Sequence, residues 1–278
     1  MKKIFLCAWI LGVILISCKK EKALNVDLSK SILDGYKGND TDEWLRLNFL
    51  NVYNIEVLYR FDSFQLAVDR YSTPVREDKV KPVMELVRKG FINPYIDVAG
   101  KNFFMPRVPK EFGLFGGALY RAIDNTAEAA GNADAGRQIN LFVLNDFDPN
   151  NKAAVIQMMH VIHHEFTHIL NQTIPVPEGY DAISNNYIGD SWVRESQANA
   201  DNMGFISRYS RKSKMEDFAE MVSFLLVEGQ TAFDSKVKSV SADAGVKLRK
   251  KEQMVVDYFQ ISYGIDFRVL QDAVKKSI

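Results

Sequence analysis

"NDFDPNNKAAVIQMMHVIHHEFTHILNQTIP", residues 145–175, carries the punctuation of one long helix. Asp148 reads as its N-cap, a carboxylate placed to accept an orphan backbone N–H, and Pro149 suits the first helical position. Pro175 stands just past an end near Gln172. Between them Val155, Ile156, Met159, Ile162, Phe166, Ile169 and Leu170 cover much of the circumference, so the helix is expected to be buried and central to its domain. It also holds every histidine of the chain: His160, His163, His164 and His168.

Four residues separate His164 from His168, which places them about 40° apart in azimuth and roughly 6 Å apart along the axis. Both imidazoles can therefore reach one ion, and Glu165 projects beside them. The pattern is HExxH: two neutral nitrogen ligands for Zn2+, and a carboxylate that takes a proton from water. An open fourth position leaves such an ion free to acidify water and polarise a carbonyl. The competing reading is a core helix whose histidines bond carbonyl groups. Against it, two histidines and a glutamate left unpaired on an otherwise apolar helix would be costly. The helix also follows a strong strand, in the order that zinc peptidases use to place an edge strand beside the metal. His160 lies one turn before His164 and reads as a lid on the cleft or a partner behind the ligands, or else as a ligand. His163 points away and reads as structural.

A third protein ligand must be a carboxylate, because no histidine follows His168 and the HExxHxxGxxH type is excluded. The downstream candidates are Glu178, Asp181, Asp190, Glu195, Asp201, Glu216, Asp217 and Glu220. "MEDFAEMVSFLL", residues 215–226, is the best context. Glu216 and Glu220 share one face of a mostly apolar helix, which suits one metal ligand and one acceptor for a ligand histidine. A solvated acidic helix start, stabilised by the macrodipole, is the alternative.

"HEFTH" followed by "YSRKSKMEDFAE" resembles the gluzincin arrangement of anthrax lethal factor and related peptidases. That resemblance implies Glu216 as third ligand, Tyr209 (seven residues earlier) as donor to the transition-state oxyanion, and Glu220 as acceptor behind a ligand histidine. Glu195, in "SWVRESQANAD", is the fallback ligand, with Glu220 a further one. A wider likeness spans nearly the whole chain. The N-terminal motif described next, "YNIEVLYRF", "HHEFTHIL", "GFISRY" and "EDFAEMVS" together resemble the zinc-binding metallopeptidase lipoproteins of Bacteroidetes. The resemblance implies a peptidase acting on protein or peptide substrates and an association with SusC/SusD-type, TonB-dependent nutrient import. The basic run in "RYSRKSKMED" departs from the pattern and bears on the role of Tyr209.

The N-terminus, "MKKIFLCAWILGVILISCKKEK", has a positive start at Lys2 and Lys3 and an apolar stretch too short for a comfortable membrane span. It ends in Leu15-Ile16-Ser17-Cys18, which resembles a bacterial lipobox. That implies cleavage before Cys18 and its lipidation; a plain secretory signal or an uncleaved anchor is the alternative. Cys7 would leave with residues 1–17, so no thiol remains for a disulfide. Lys19 is not the aspartate that retains many lipoproteins at the inner membrane, which favours the outer membrane and leaves the leaflet open. Lys+Arg and Asp+Glu each total 35, so no basic surplus exists for nucleic acid.

Residues 18–40 read as a polar tether, and 41–278 as one zincin-like catalytic domain. Within it, residues 54–61 and 137–146 read as strands, Glu77 to Lys89 as an amphipathic helix, and everything beyond 149 as mostly helical. The strand over 139–145 is expected beside the cleft, where an extended substrate could pair with it. An early small sheet followed by helices points to the α+β class. Two other readings stay open: a non-catalytic binding lipoprotein that serves an importer, and a zinc-stabilised structural domain with His160 as a fourth ligand.

Overall fold

Strand alternation and helix periodicity meet at a four-stranded sheet backed by long helices, with a separate two-stranded pair of Arg70–Tyr71 and Tyr120–Arg121. The computed structural model describes residues 38–127, 131–134 and 138–278, with backbone alone over 131–134. Cys18 and the segment read as a signal peptide lie outside the described residues. The chain enters through helix α1 (Asp40–Leu45), which continues past a π-helical turn to Tyr53. It then runs through β1 (Glu56–Leu58), α2 (Glu77–Val87) and β2 (Glu111–Leu114). Next come β3 (Gly131–Asp134), β4 (Gln138–Leu141) and α3 (Lys152–Thr173). Three helices end the chain: α4 (Lys214–Ser239), α5 (Ala242–Tyr263) and α6 (Phe267–Ser277). The α+β class expected from the sequence is the class observed.

The sheet order is β1-β2-β4-β3, parallel except for β3, which pairs antiparallel to β4. Phe112 and Leu114 of β2 and Ile139 and Leu141 of β4 are buried, the period-2 signal of a sheet packed on a core. Two expectations fail here. The strand over 137–146 shortens to Gln138–Leu141, because Val143 adopts φ 63° and takes the chain out of the ladder. The edge of the sheet on this side is β3, not β4. The Gly-Asn-Ala-Asp composition of β3 carries no strand propensity, so its existence could not be read in advance.

Helix α3 begins later than expected. Asp148 closes a turn, its Oδ1 accepting from Asn150 N at 2.9 Å, and Asn151 N bonds Asp148 O at 3.0 Å. Pro149 is therefore a turn residue, and Asn151 is the cap, accepting from Ala153 N and Ala154 N. Once started, the helix is central, as its apolar circumference requires. Phe166 lies 4.9–5.9 Å, ring to ring, from Tyr95, Phe91 and Phe104. On another face α3 packs along α4, whose Phe218, Met221, Val222 and Leu225 are fully buried. Gly229, at φ 81°, breaks α4 before its last turns. Among the described residues no helix is long and apolar enough to cross a membrane.

Candidate metal centre

Helices α3 and α4 meet with their polar positions face to face. His164 and His168 come from the first, Glu216 and Glu220 from the second. Ser213 starts α4 as its N-cap, accepting from Glu216 N at 3.3 Å, which fixes Glu216 in the first turn. His164 Nε2 lies 3.1 Å from Glu216 Oε2, His168 Nε2 lies 3.1 Å from the same oxygen, and the two nitrogens are 3.1 Å apart. His164 is buried, His168 and Glu216 half-buried.

The other nitrogen of His164 decides what this triangle means. Nδ1–H donates to Glu220 Oε1 at 2.8 Å, and Ser207 Oγ–H donates to Glu220 Oε2 at 2.6 Å. With Nδ1 as donor, Nε2 presents a lone pair toward another nitrogen and a carboxylate oxygen. When His168 also turns its lone pair inward, three acceptors converge here, and a cation among them satisfies all three. Tetrahedral zinc with bonds near 2.0–2.1 Å would place its ligands about 3.3–3.4 Å apart, close to the separations here. Electrostatics agree. Burial by itself would lower the His164 pKa, yet Glu216 and Glu220 raise it to about 10. Burial would likewise raise Glu216, but the histidines hold it well below the carboxylate range. The cluster holds positive charge at Nε2, whether proton or metal ion.

Glu165, beside the ligands on α3, is half-buried. Burial raises its pKa, partly offset by His164 and His168, which strengthens it as a proton acceptor. Tyr209 arrives on a short helical turn, Tyr209–Lys212, with its ring 5.8 Å from that of His164 and edge-on to Trp192 at 4.7 Å. Burial first, and then the charge of Glu216, push its phenol well above the usual range, so it remains an O–H donor.

The remaining candidates separate cleanly. Glu195 is paired with Arg211 in a nearly closed environment and accepts from Asn199 Nδ2 at 2.8 Å; it does not join the triangle. His160 sits 3.3 Å from Glu228 Oε1 and 3.5 Å from Ser223 Oγ, so it does not close the site as a fourth ligand. His163 donates from Nε2 to Gly90 O at 3.3 Å. The basic run resolves as well: Arg211 serves Glu195, while Lys212 Nζ reaches Glu216 Oε1 at 3.1 Å and Tyr209 OH at 3.3 Å. Lys212 went unrecognised as a site residue, although its i,i+4 spacing to Glu216 was a usable signal. Ser207 had none, because a loop alone delivers it.

A family model described as "Putative zinc-binding metallo-peptidase" matches residues 35–268. The chain belongs to this family. A solved structure from Bacteroides caccae ATCC 43185, named "a putative zinc-binding metallo-peptidase", is 25% identical with a TM-score of 0.72. The match covers 87% of this chain and 94% of that one. No curated protein matches. Zinc is the metal the family is described as binding, and the donor set of His164, His168 and Glu216 fits it.

Proposed function

We propose that the protein is a zinc-dependent peptidase of the HExxH type. The observation that carries this reading is the convergence of His164 Nε2, His168 Nε2 and Glu216 Oε2 at 3.1 Å, with Glu165 beside them on the same helix. His164, His168 and Glu216 would hold the ion, and Glu220 would fix the His164 tautomer through Nδ1. Bound zinc supplies Lewis acidity toward a water and a scissile carbonyl. Glu165 takes the water's proton and passes it to the leaving amine. Tyr209 O–H donates to the developing oxyanion, a contribution of about 2–4 kcal/mol by comparison with other such donors. Lys212, within hydrogen-bond distance of that hydroxyl, keeps Tyr209 turned toward Glu216.

The residues before the domain support a place for this chemistry. Leu15-Ile16-Ser17-Cys18 fits a lipobox, so Cys18 is proposed as the lipid anchor to the outer membrane. The motif order supports service to a SusC/SusD-type uptake complex. The test is Glu165→Gln on zinc-loaded protein. We expect one zinc retained and hydrolysis of a mixed peptide library reduced about 10²–10⁴-fold. Unchanged hydrolysis would remove Glu165 from the mechanism.

A further inference from the structure

The two-stranded pair of Arg70–Tyr71 and Tyr120–Arg121 carries an apolar tip that the chemistry described so far does not use. Among the described residues only four large apolar side chains are more than four-fifths exposed, and one of them is Ile261 on α5. The others are Phe64 (94%), Val68 (105%) and Ile123 (84%), and all three belong to this lobe. Ala122 N bonds Asp69 O at 2.9 Å, one step beyond the Arg70–Arg121 pair, so Val68 and Ile123 follow as the next opposed positions. Phe61 and Tyr71 are exposed as well and extend the patch along the chain. Single exposed apolar residues are ordinary; a group of them on one tip is not.

The exposure is built into the lobe. Leu66, between Phe64 and Val68, packs on Phe115, Leu119 and Phe142 and roots the loop. Asp62 fixes the turn, its Oδ1 accepting from Phe64 N at 2.9 Å and its carbonyl from Gln65 N at 3.1 Å. Tyr71 stacks on Tyr120 at 5.4 Å and donates to Asn125 Oδ1 at 2.8 Å. Charges are matched on the spot: Arg70 meets Asp69 at 2.5 Å, and Arg121 lies 3.7 Å from Asp124. The tip thus presents aromatic and branched side chains on a held loop, beside charges that carry their own counterions into an apolar phase.

The place where the chain enters the fold says what this tip meets. The first turn of α1 sits against the base of the lobe. Asp42 Oδ1 accepts from Tyr59 O–H at 2.7 Å, its Oδ2 accepts from Arg60 at 2.6 Å, and Phe61 follows directly. Residues 19–39 separate Cys18 from Asp40 and can span no more than ~75 Å. The flank that carries Asp42 and Phe61 therefore reaches whatever holds Cys18 with the least extension of that segment. Resting on the lipid-anchor reading above, we infer that the tip of Phe64, Val68 and Ile123 docks on the lipid surface that receives the anchor, with these side chains in its interfacial layer. Anchoring makes the insertion intramolecular, so a few side chains suffice where they would bind weakly alone. The anchor sets how far the domain can stray; the tip sets which way it faces.

The test uses the full chain, produced with its own N-terminus, isolated from membranes and reconstituted into vesicles. These contain phosphatidylethanolamine with a minor share of phosphatidylglycerol, and their acyl chains are brominated to quench indole emission. Phe64→Trp, Ile123→Trp and the control Ile261→Trp place reporters at exposed positions where no neighbour opposes the larger ring. After subtraction of the wild-type signal, the first two should lose emission to bromine and the control should keep it. Because the charges of the lobe are paired within it, the loss should persist at high salt. Equal quenching of all three, or of none, would overturn the docking. Blue shifts that grow with protein density, without quenching by bromine, would show a second copy covering the tip and would overturn it too. The mass of the mature chain reports on Cys18 separately. An unlipidated Cys18 with selective quenching on added vesicles would sink the anchor reading alone. A lipidated Cys18 with an unquenched tip would sink the docking alone.

Discussion

Glu216 and Asp217 are neighbours on α4, yet they inhabit opposite kinds of polar environment. Asp217 faces α5, fully buried, where Lys251 Nζ lies 2.7 Å from its Oδ2 and Tyr187 O–H donates at 3.0 Å. The ammonium also donates to Gly204 O at 2.9 Å and stands 4.1 Å over the Phe205 ring. Burial opposes both charges, pushing Asp217 up to about 6 and lowering Lys251, but each finds its partner inside the protein. Glu216 faces α3, where its oxygens meet two imidazole nitrogens and the Lys212 ammonium. A buried charge matched by an opposite charge of its own chain serves the scaffold; one left wanting a cation marks the site.

Substitution at the two positions should separate these roles. Glu216→Ala is expected to abolish zinc retention, read by metal mass spectrometry, while the zinc-free protein unfolds in urea at a concentration near that of the wild type. Asp217→Ala strands the Lys251 charge in the core and should lower stability by about 3–5 kcal/mol in the same titration. Zinc should still bind to whatever fraction stays folded. If Asp217→Ala emptied the site without loss of stability, the division drawn between the two carboxylates would be wrong.

His163 and His164 repeat the contrast on α3. His164 is surrounded by carboxylates; His163 packs against Phe91 and Tyr95, donates to Gly90 O, and leaves Nδ1 without a partner. Burial drops its pKa to about 3, against about 6.5 when unfolded. Between those values the unfolded chain binds the extra proton, so stability is full above pH 6.5 and declines as the pH falls toward 3. Of that decline, about 2–3 kcal/mol should fall between pH 6.5 and 4.5. His163→Gln keeps a donor for Gly90 and should lose this part of the slope in zinc-free protein. An identical pH profile for the variant would mean that His163 is not buried as the neutral base.

What the sequence made legible follows the same division. His164, His168, Glu216 and Glu220 lie on two helices, and a period of 3.6 converts their spacing into a shared face without any tertiary information. The central burial of α3 was readable for the same reason. The start of that helix was not, because Asp148-Pro149-Asn150-Asn151 supports both a cap and a turn, and the turn prevails. Strand β3 was hidden because Gly-Asn-Ala-Asp carries no strand signal even though its partner β4 follows directly, and the left-handed Val143 because its N–H bonds Gly117 O, distant in sequence. Glu195 illustrates the limit most plainly: its sequence context admits a ligand, and only the approach of Arg211 shows where its charge is spent.

The smallest expected effect belongs to Glu220, which would act on the proposed ion only through His164. Its Oε1 accepts from Nδ1–H at 2.8 Å while Ser207 occupies Oε2 at 2.6 Å, so both oxygens are engaged and the ring is held in one tautomer. Burial would raise its pKa, but the contact with His164 lowers it on balance, so the group accepts as an anion. An anionic acceptor makes the imidazole a better donor toward a metal than a neutral amide does. Glu220→Gln preserves the acceptor oxygen and the shape, and removes only that charge. Zinc affinity, followed by competition with a chromophoric chelator, should fall about 10–100-fold, with one zinc still bound at saturation. Full loss of zinc would instead make Glu220 a ligand in its own right and displace Glu216 from the triangle. Unchanged affinity would show that geometry, not charge, is all that His164 requires from the residue behind it.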